Sequence, residues 1–368
     1  WGKLMASNHK HVRKIKFKTS WWHRRKDSLL LISFLEELAD NNETVEELSL
    51  DLGPVGEGRG SRRARHRVCE ALRQLLRTNR TIKTVRLEAK LRDAVFEVFS
   101  KDNAIENLSI DFDTEEDPGP SFQERLAREV VNKTTLKRLS LRGHSRGQFL
   151  IQEIDPPIFY LDPFLTLLKS PHSLREIHIS SFCLEYDILE VAQAIQSNYK
   201  RCPLEAVTLS ECITSPDCKQ FVLRAVAIFL DSCENLRKLG IARNGLGDDE
   251  IKAIAECLKD NTTLQELDYS GNPLTIVGED ALTSVLRDYN VTLQKLNLGP
   301  PLPRELDLCL KLNQAGRAKL KCPLLSKVEF VDMLAREEPA ENEGPISEAD
   351  RCSILYGFLR QAPHLWTA

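Results

Sequence analysis

An α/β solenoid is the fold class this chain predicts, and three observations lead there. The spacing apolar-x-x-apolar-x-apolar recurs eleven times, with first positions at Val12, Val45, Ile82, Ile105, Leu136, Leu174, Leu204, Leu236, Leu264, Leu293 and Leu325. The last intervals are 28, 29 and 32 residues and the earlier ones run from 23 to 38, a period at which single supersecondary units stack into an array. Between the copies lie amphipathic stretches such as 247–259 (GDDEIKAIAECLK) and 278–288, which read as helices.

Each copy contributes one strand and one helix. The closing apolar-x-apolar of the spacing has period two, so it reads as a short strand with its apolar side chains turned to one face. No single unit can bury that face alone, so neighbours must stack. Parallel strands then line a concave face and helices the convex one, and eleven strands at about 4.8 Å make an arc roughly 50 Å long. The clearest copy, NTTLQELDYSGNPL at 261–274, nearly repeats ENLRKLGIARNGL, 28 residues upstream. There Asn261 is expected to end a helix in the left-handed conformation. Asn272 is expected to satisfy backbone groups in the loop leaving the strand.

The solenoid is placed at 8–336. Residues 1–7 read as a lead-in; the chain opens on Trp1 without Met, which suggests a fragment or processed product continuing from an upstream segment. An acidic linker follows at 337–347. The segment 348–368 holds a closing helix whose Ile354, Leu355, Phe358 and Leu359 share one apolar face, suited to covering the open end of the core.

Composition narrows the class. The ten cysteines are scattered singly with no CxxC pair, the usage of an intracellular protein with reduced thiols, cytoplasmic or nuclear. No apolar run approaches the roughly 18 residues of a membrane span. The net charge of −3 hides an asymmetry: residues 1–26 hold six Lys and three Arg with no acid, 57–80 hold eight Arg against two Glu, and 329–350 hold eight acids against one Arg.

With the spacing in view, the units resemble leucine-rich repeats, L-x-x-L-x-L-x-x-N/C-x-L, and their length is similar to the ribonuclease-inhibitor-like subtype. Leu264, Leu267, Tyr269, Asn272 and Leu274 fit throughout, as do Leu236, Leu239, Ile241, Asn244 and Leu246; Cys212 takes the Asn/Cys place in the Leu204 unit, while His144 and Phe182 depart from it. The resemblance is strong over about 132–300 and weaker before. The run DYNVTLQKLNL, followed by LCLKLNQAGR and YGFLRQAPHLW, resembles the closing segment of repeat proteins from diatom-type algae. What the resemblance implies is a horseshoe whose concave face and loops bind protein.

Chemical motifs are few. Asn-x-Thr sequons at Asn42, Asn79, Asn132, Asn261 and Asn290 all fall at the helix-to-strand junction, where capping accounts for them. Residues 53–60 (GPVGEGRG) form a glycine-rich loop between strand and helix but lack the G-K-[ST] ending of a phosphate loop. Cys212, Cys218 and His178 show no metal-ligand spacing. No nucleophile elbow or HExxH is present, so neither catalysis nor a cofactor or metal is expected.

Partner-binding candidates come from three places. Lys14, Lys16 and Lys18 on the first strand, Arg138 and Arg142 on the fifth and His178 on the sixth are the outward cations of the concave face. Trp21 and Trp22 beside Arg24 and Arg25 join aromatic anchors to charge. Phe159 and Tyr160 lie in the 38-residue fifth unit, where an insertion maps to a loop. An acidic protein surface is the expected partner of the basic N-terminal end, ahead of nucleic acid. The function expected is a non-catalytic interaction scaffold. The alternatives are a GTPase-activating protein of the leucine-rich-repeat type, for which the acidic segment is short, or the sensing region of a larger receptor or effector.

Overall fold

The computed structural model describes residues 12–18, 25–51, 59–112, 119–143, 160–198, 203–213, 215–299, 301–318 and Tyr356. The chain divides into two compact units, Trp1–Cys212 and Ile213–Ala368.

Among the described residues of the first unit seven strands alternate with six helices: β1 (Lys14–Lys18), α1 (Arg25–Asn41), β2 (Glu47–Asp51), α2 (Arg59–Thr78), β3 (Thr84–Glu88), α3 (Arg92–Glu97), β4 (Asn107–Asp111), α4 (Pro120–Asn132), β5 (Arg138–Arg142), α5 (Leu161–Lys169), β6 (Glu176–Ser180), α6 (Asp187–Ser197) and β7 (Ala206–Ser210). The second holds α7 (Lys219–Ser232), β8 (Lys238–Gly240), α8 (Asp248–Asp260), β9 (Glu266–Asp268), α9 (Ile276–Asp288), β10 (Lys295–Asn297) and α10 (Arg304–Gln314). Within each unit the described strands are parallel and follow chain order, so the chain is an α/β leucine-rich-repeat solenoid.

The register is that of the sequence repeat. The fourth residue of the spacing stacks on its counterpart from Ile15 to Leu48, Val85, Leu108, Leu139, Ile177 and Val207, and in the second unit from Leu239 to Leu267 and Leu296. From Leu48 to Val207, and again from Leu239 to Leu296, these side chains are buried, each 6% exposed or less, and each contributes about 1.5–3 kcal/mol. A one-residue slip would turn the whole row to solvent, which is why the register holds.

Unit length sets helix length. Only 23 residues separate Ile82 from Ile105, and the helix that fits, α3, has six. Helix α8 shows why these stretches become helices at all. Asp248, Asp249 and Glu250 sit in its first turn and Lys259 in its last, matching the macrodipole. Glu250 accepts a hydrogen bond from the Gly247 N–H, and Ile251, Ile254, Ala255 and Leu258 form the buried stripe.

A ladder of side-chain amides joins the repeats. Asn261 donates to the Leu230 carbonyl at 2.7 Å and accepts from the Thr263 and Leu264 N–H groups. Asn290 donates to the carbonyls of Leu258 (2.7 Å) and Asn261 (3.0 Å); Asn79, Asn103 and Asn198 reach back in the same way. The last carbonyls of a helix have no intrahelical partner, and here the next repeat supplies it. This corrects one expectation. Asn261 is extended, with φ −75° and ψ 124°, not left-handed; its amide does the capping. Lys133 occupies the ladder place in its repeat, donating from Nζ to Ser100 O (2.6 Å) and Asn103 Oδ1 (2.9 Å), so Asn132 is displaced to the exposed end of α4. Asn79, Asn261 and Asn290 are buried with their amides engaged.

Four left-handed residues follow the strands, one residue past β6 and β7 and three past β8 and β9: Ser181, Glu211, Arg243 and Gly271 have φ of 60°, 56°, 55° and 69°. They stand just before the Asn/Cys place, where Asn272 performs as expected, donating to Ile241 O and Tyr269 O and accepting from Asn244 N–H and Leu246 N–H. At Gly271 an added Cβ would come within 2.6 Å of Arg243 Cγ, so glycine there serves both conformation and packing.

After β10, Asn313 donates to Asn290 O and Leu293 O, and the buried Arg317 guanidinium donates to the carbonyls of Leu286 and Asn290. The eleventh copy at Leu325, the linker 337–347 and all of 348–368 except Tyr356 lie outside the described residues.

Candidate functional site

The sheet's solvent face is built of rungs in which neighbouring strands, about 4.8 Å apart, pair opposite charges. In the column just before the strands, Glu46 pairs with Arg13 (3.3 Å) and Lys83 (3.6 Å), Glu106 with Lys137 (2.9 Å) and Glu205 with Arg175 (2.8 Å). On the strands, Lys14 Nζ meets Glu47 Oε1 at 2.7 Å, Arg86 Nε meets Asp111 Oδ2 at 2.6 Å and Arg138 Nη2 meets Glu176 Oε2 at 2.6 Å. In the second unit Glu266 lies between Lys238 (3.0 Å) and Lys295 (3.7 Å).

Two of the sequence's candidates, Arg138 and His178, therefore converge on a third residue that sequence reasoning did not single out for them. Glu176 Oε2 faces His178 Nε2 at 3.4 Å, and His178 Nδ1 lies 2.9 Å from the Thr208 hydroxyl. A proton on Nε2 satisfies the carboxylate, and Nδ1 then accepts from Thr208. Burial works against the Glu176 carboxylate, but Arg138 and His178 outweigh it and hold its pKa below the usual range. Burial, with Arg138 and Arg142, also holds His178 below the ordinary imidazole value against the pull of Glu176. The imidazole is thus neutral at neutral pH, and the cluster is a hydrogen-bonded rung rather than an acid–base pair aimed at a substrate.

Lys16 and Arg142 are exposed on the same face. Lys18 and Arg25 are described by backbone position only, at the end of β1 and the start of α1; Trp21, Trp22, Arg24 and Phe159 lie outside the described residues.

Tyr160 lies in a different place. It lines an open groove of about 700 Å³ at the N-terminal ends of α4, α5 and α6, together with Tyr186, Glu124, Asp162, Asp187 and Glu190. Tyr186 is 62% exposed. Among the described residues no cation pairs with these four carboxylates. Burial, then Glu190 and Asp162, push Asp187 up from the ordinary carboxylate value. Sequence reasoning missed the carboxylates because they come from three helices and share no local spacing.

Other chemistry is absent from the described residues. No group of three His, Cys, Asp or Glu side chains is placed to hold a metal, and no helix is long and apolar enough to cross a membrane. Cys69, Cys212 and Cys309 are buried, while Cys183 is exposed. Cys212 sits against the carbonyls of Ile179 and Ser210, and burial raises its pKa far above the ordinary thiol value, which leaves it unreactive.

No family model matches the chain, and no curated protein matches it in sequence. Among solved structures it is similar to actin-binding site 2 of leiomodin-1 (19% identity, TM-score 0.37, covering 45% of this chain and 95% of that one). It is also similar to the tropomodulin C-terminal domain of Caenorhabditis elegans (13% identity, TM-score 0.35, 44% and 98%) and to the yeast Rad7–Elc1 complex (13% identity, TM-score 0.33, 79% and 75%). Similarities at this level bear on neither partner nor activity.

Proposed function

We infer that this chain is a non-catalytic scaffold that holds partner proteins against its loops and the solvent face of its sheet. The observation that carries the reading is the groove at α4, α5 and α6. Tyrosine is enriched at binding hot spots, and Tyr160 and Tyr186 stand there among carboxylates that no described cation pairs. On the sheet face, by contrast, Lys14, Arg86 and Arg138 are each paired with a carboxylate of the next strand.

Further features support the finer reading. Repeats of 28 and 29 residues, each with a full helix, fit the ribonuclease-inhibitor-like subtype. Asn313 and Arg317, within LCLKLNQAGR, occupy the free carbonyls after β10, as suits a closing segment like that of the algal repeat proteins. A buried free thiol at Cys309 suits a reducing, intracellular compartment. The basic N-terminal end, with Trp21, Trp22, Arg24 and Arg25, suits an acidic protein surface.

Affinity purification from native extract at low and high salt tests the scaffold. A stoichiometric protein retained by the wild type and lost with Tyr160→Ala/Tyr186→Ala supports it. If neither salt condition retains any protein, the scaffold reading is wrong.

A further inference from the structure

We propose that the outer face of α2 docks an acidic, leucine-bearing helical segment of a partner protein. The proposal rests on the scaffold reading and names a second contact surface, remote in sequence from the groove.

The first nine residues of α2, RGSRRARHR, contain five Arg and one His and no acid. That composition opposes the helix. The positive end of the macrodipole favours carboxylates, and like charges four apart, Arg63 and Arg67, repel. Local rules broken in this way tend to mark functional surfaces.

The two halves of α2 treat their cations differently. Toward its C-terminus, Arg73 and Arg77 are bound by Glu97 at 3.2 and 2.7 Å, and Arg73 also by Glu70. Toward its N-terminus, Arg63, His66 and Arg67 are exposed on one face, and no described carboxylate pairs with them.

An apolar element lies alongside. Helix α1 packs on α2; it buries Leu31, Leu35 and Leu38 but leaves Leu29 41% and Leu30 63% exposed. The exposed leucines are in the N-terminal half of α1, as the free cations are in the N-terminal half of α2. Neighbouring helices thus carry an exposed cationic face and an exposed apolar pair.

Its size selects the occupant. Arg63 to Arg67 spans about 6 Å of helix axis. Beyond it α2 presents exposed Glu70, and the later part of α1 presents exposed Glu36. A phosphate backbone would run onto those acids, and an anionic membrane needs a broader field of cations. One or two turns of a helix with carboxylates four apart and a leucine beside them match the patch in length, charge and polarity.

The test uses the full chain and a fluorescein-labelled helical peptide of Glu, Leu and Ala, roughly 14 residues long, read by fluorescence anisotropy. Saturable binding is expected, weakening about tenfold between about 50 and 300 mM salt. Arg63→Glu/Arg67→Glu should abolish it, and Leu30→Ser should weaken it several-fold while the salt dependence stays. Arg63→Gln/Arg67→Gln should also lose binding with the melting temperature unchanged or raised, because a mutual repulsion is removed; this separates docking from misfolding. No binding by the wild type overturns the proposal. So does tighter binding of oligouridylate RNA or phosphatidylserine vesicles with the same Arg63/Arg67 dependence. No peptide binding by the wild type, with a protein from native extract still retained through Tyr160 and Tyr186, would remove this site and leave the scaffold standing.

Discussion

The side-chain amide of Asn261 lies 2.7 Å from the carbonyl oxygen of Leu230, one repeat upstream. The same amide's oxygen holds the turn of its own repeat, so one asparagine ties two units together. Nearest-neighbour coupling of this kind is what stabilises a stacked array.

Replacing Asn261 with Ala leaves the Leu230 carbonyl and two N–H groups without that partner inside the core. The expected cost is about 2–3 kcal/mol, read as a lowered urea midpoint. Asn132→Ala, at the exposed end of α4, should stay within about 0.5 kcal/mol of wild type. Equal losses from both would mean that the ladder is not what holds the repeats.

Lys133 brings a pH dependence. Burial lowers its pKa from the ordinary lysine value, with Asp102 partly opposing. Between the lowered value and the ordinary one, the unfolded chain holds a proton that the folded chain has released. Stability therefore rises with pH across that window. Lys133→Met should lose this rise and, lacking the bonds to Ser100 and Asn103, about 1–3 kcal/mol overall. Denaturation midpoints on the alkaline side of neutrality, for both proteins, read the slope.

Gly278 lies inside α9, where alanine would ordinarily gain up to about 1 kcal/mol. Here an added Cβ would stand 2.3 Å from Leu274 Cδ1, 2.7 Å from Asp248 Oδ1 and 2.7 Å from Ile251 Cγ2. Asp248 cannot retreat freely, since it accepts from the Thr275 N–H at the start of α9. Gly278→Ala should therefore destabilise by about 1–3 kcal/mol, and a higher melting temperature in the variant would contradict the close packing.

Among the described residues neither buried ring nitrogen of His172 has a hydrogen-bond partner, and burial holds its pKa below the ordinary value. The unfolded chain takes up the proton first as pH falls, so stability declines from the ordinary imidazole pKa down to the lowered one. His172→Leu should gain about 1 kcal/mol near neutrality, and more at acidic pH, where it removes part of the loss. His178, also lowered, keeps the rest. Thermal melts at pH 5 and 7 distinguish this from a His172 that water satisfies.

Much of the scaffold was legible in advance. The apolar spacing placed the described strands, and its period placed their register, because a strand with one buried face tolerates no slip. Helix α8 begins one residue from the expected position, since Gly247 and the acids after it mark a helix start locally. The left-handed column at Ser181, Glu211 and Arg243 was hidden, because only Gly271 carries the residue type that announces it.

The sequence by itself determined the repeat, its parallel strands, and which asparagines recur at each junction, for these follow from spacing along one chain. Only the tertiary structure decided what those groups meet. It turned Lys133 into a substitute for asparagine and joined Arg138 and His178 through Glu176. It also gathered Tyr160, Tyr186 and four carboxylates from three helices, and left Arg63, His66 and Arg67 exposed on the helix next to the one that exposes Leu29 and Leu30. Pairing of charges depends on distances between residues about 30 apart in sequence, and those distances exist only once the repeats have stacked.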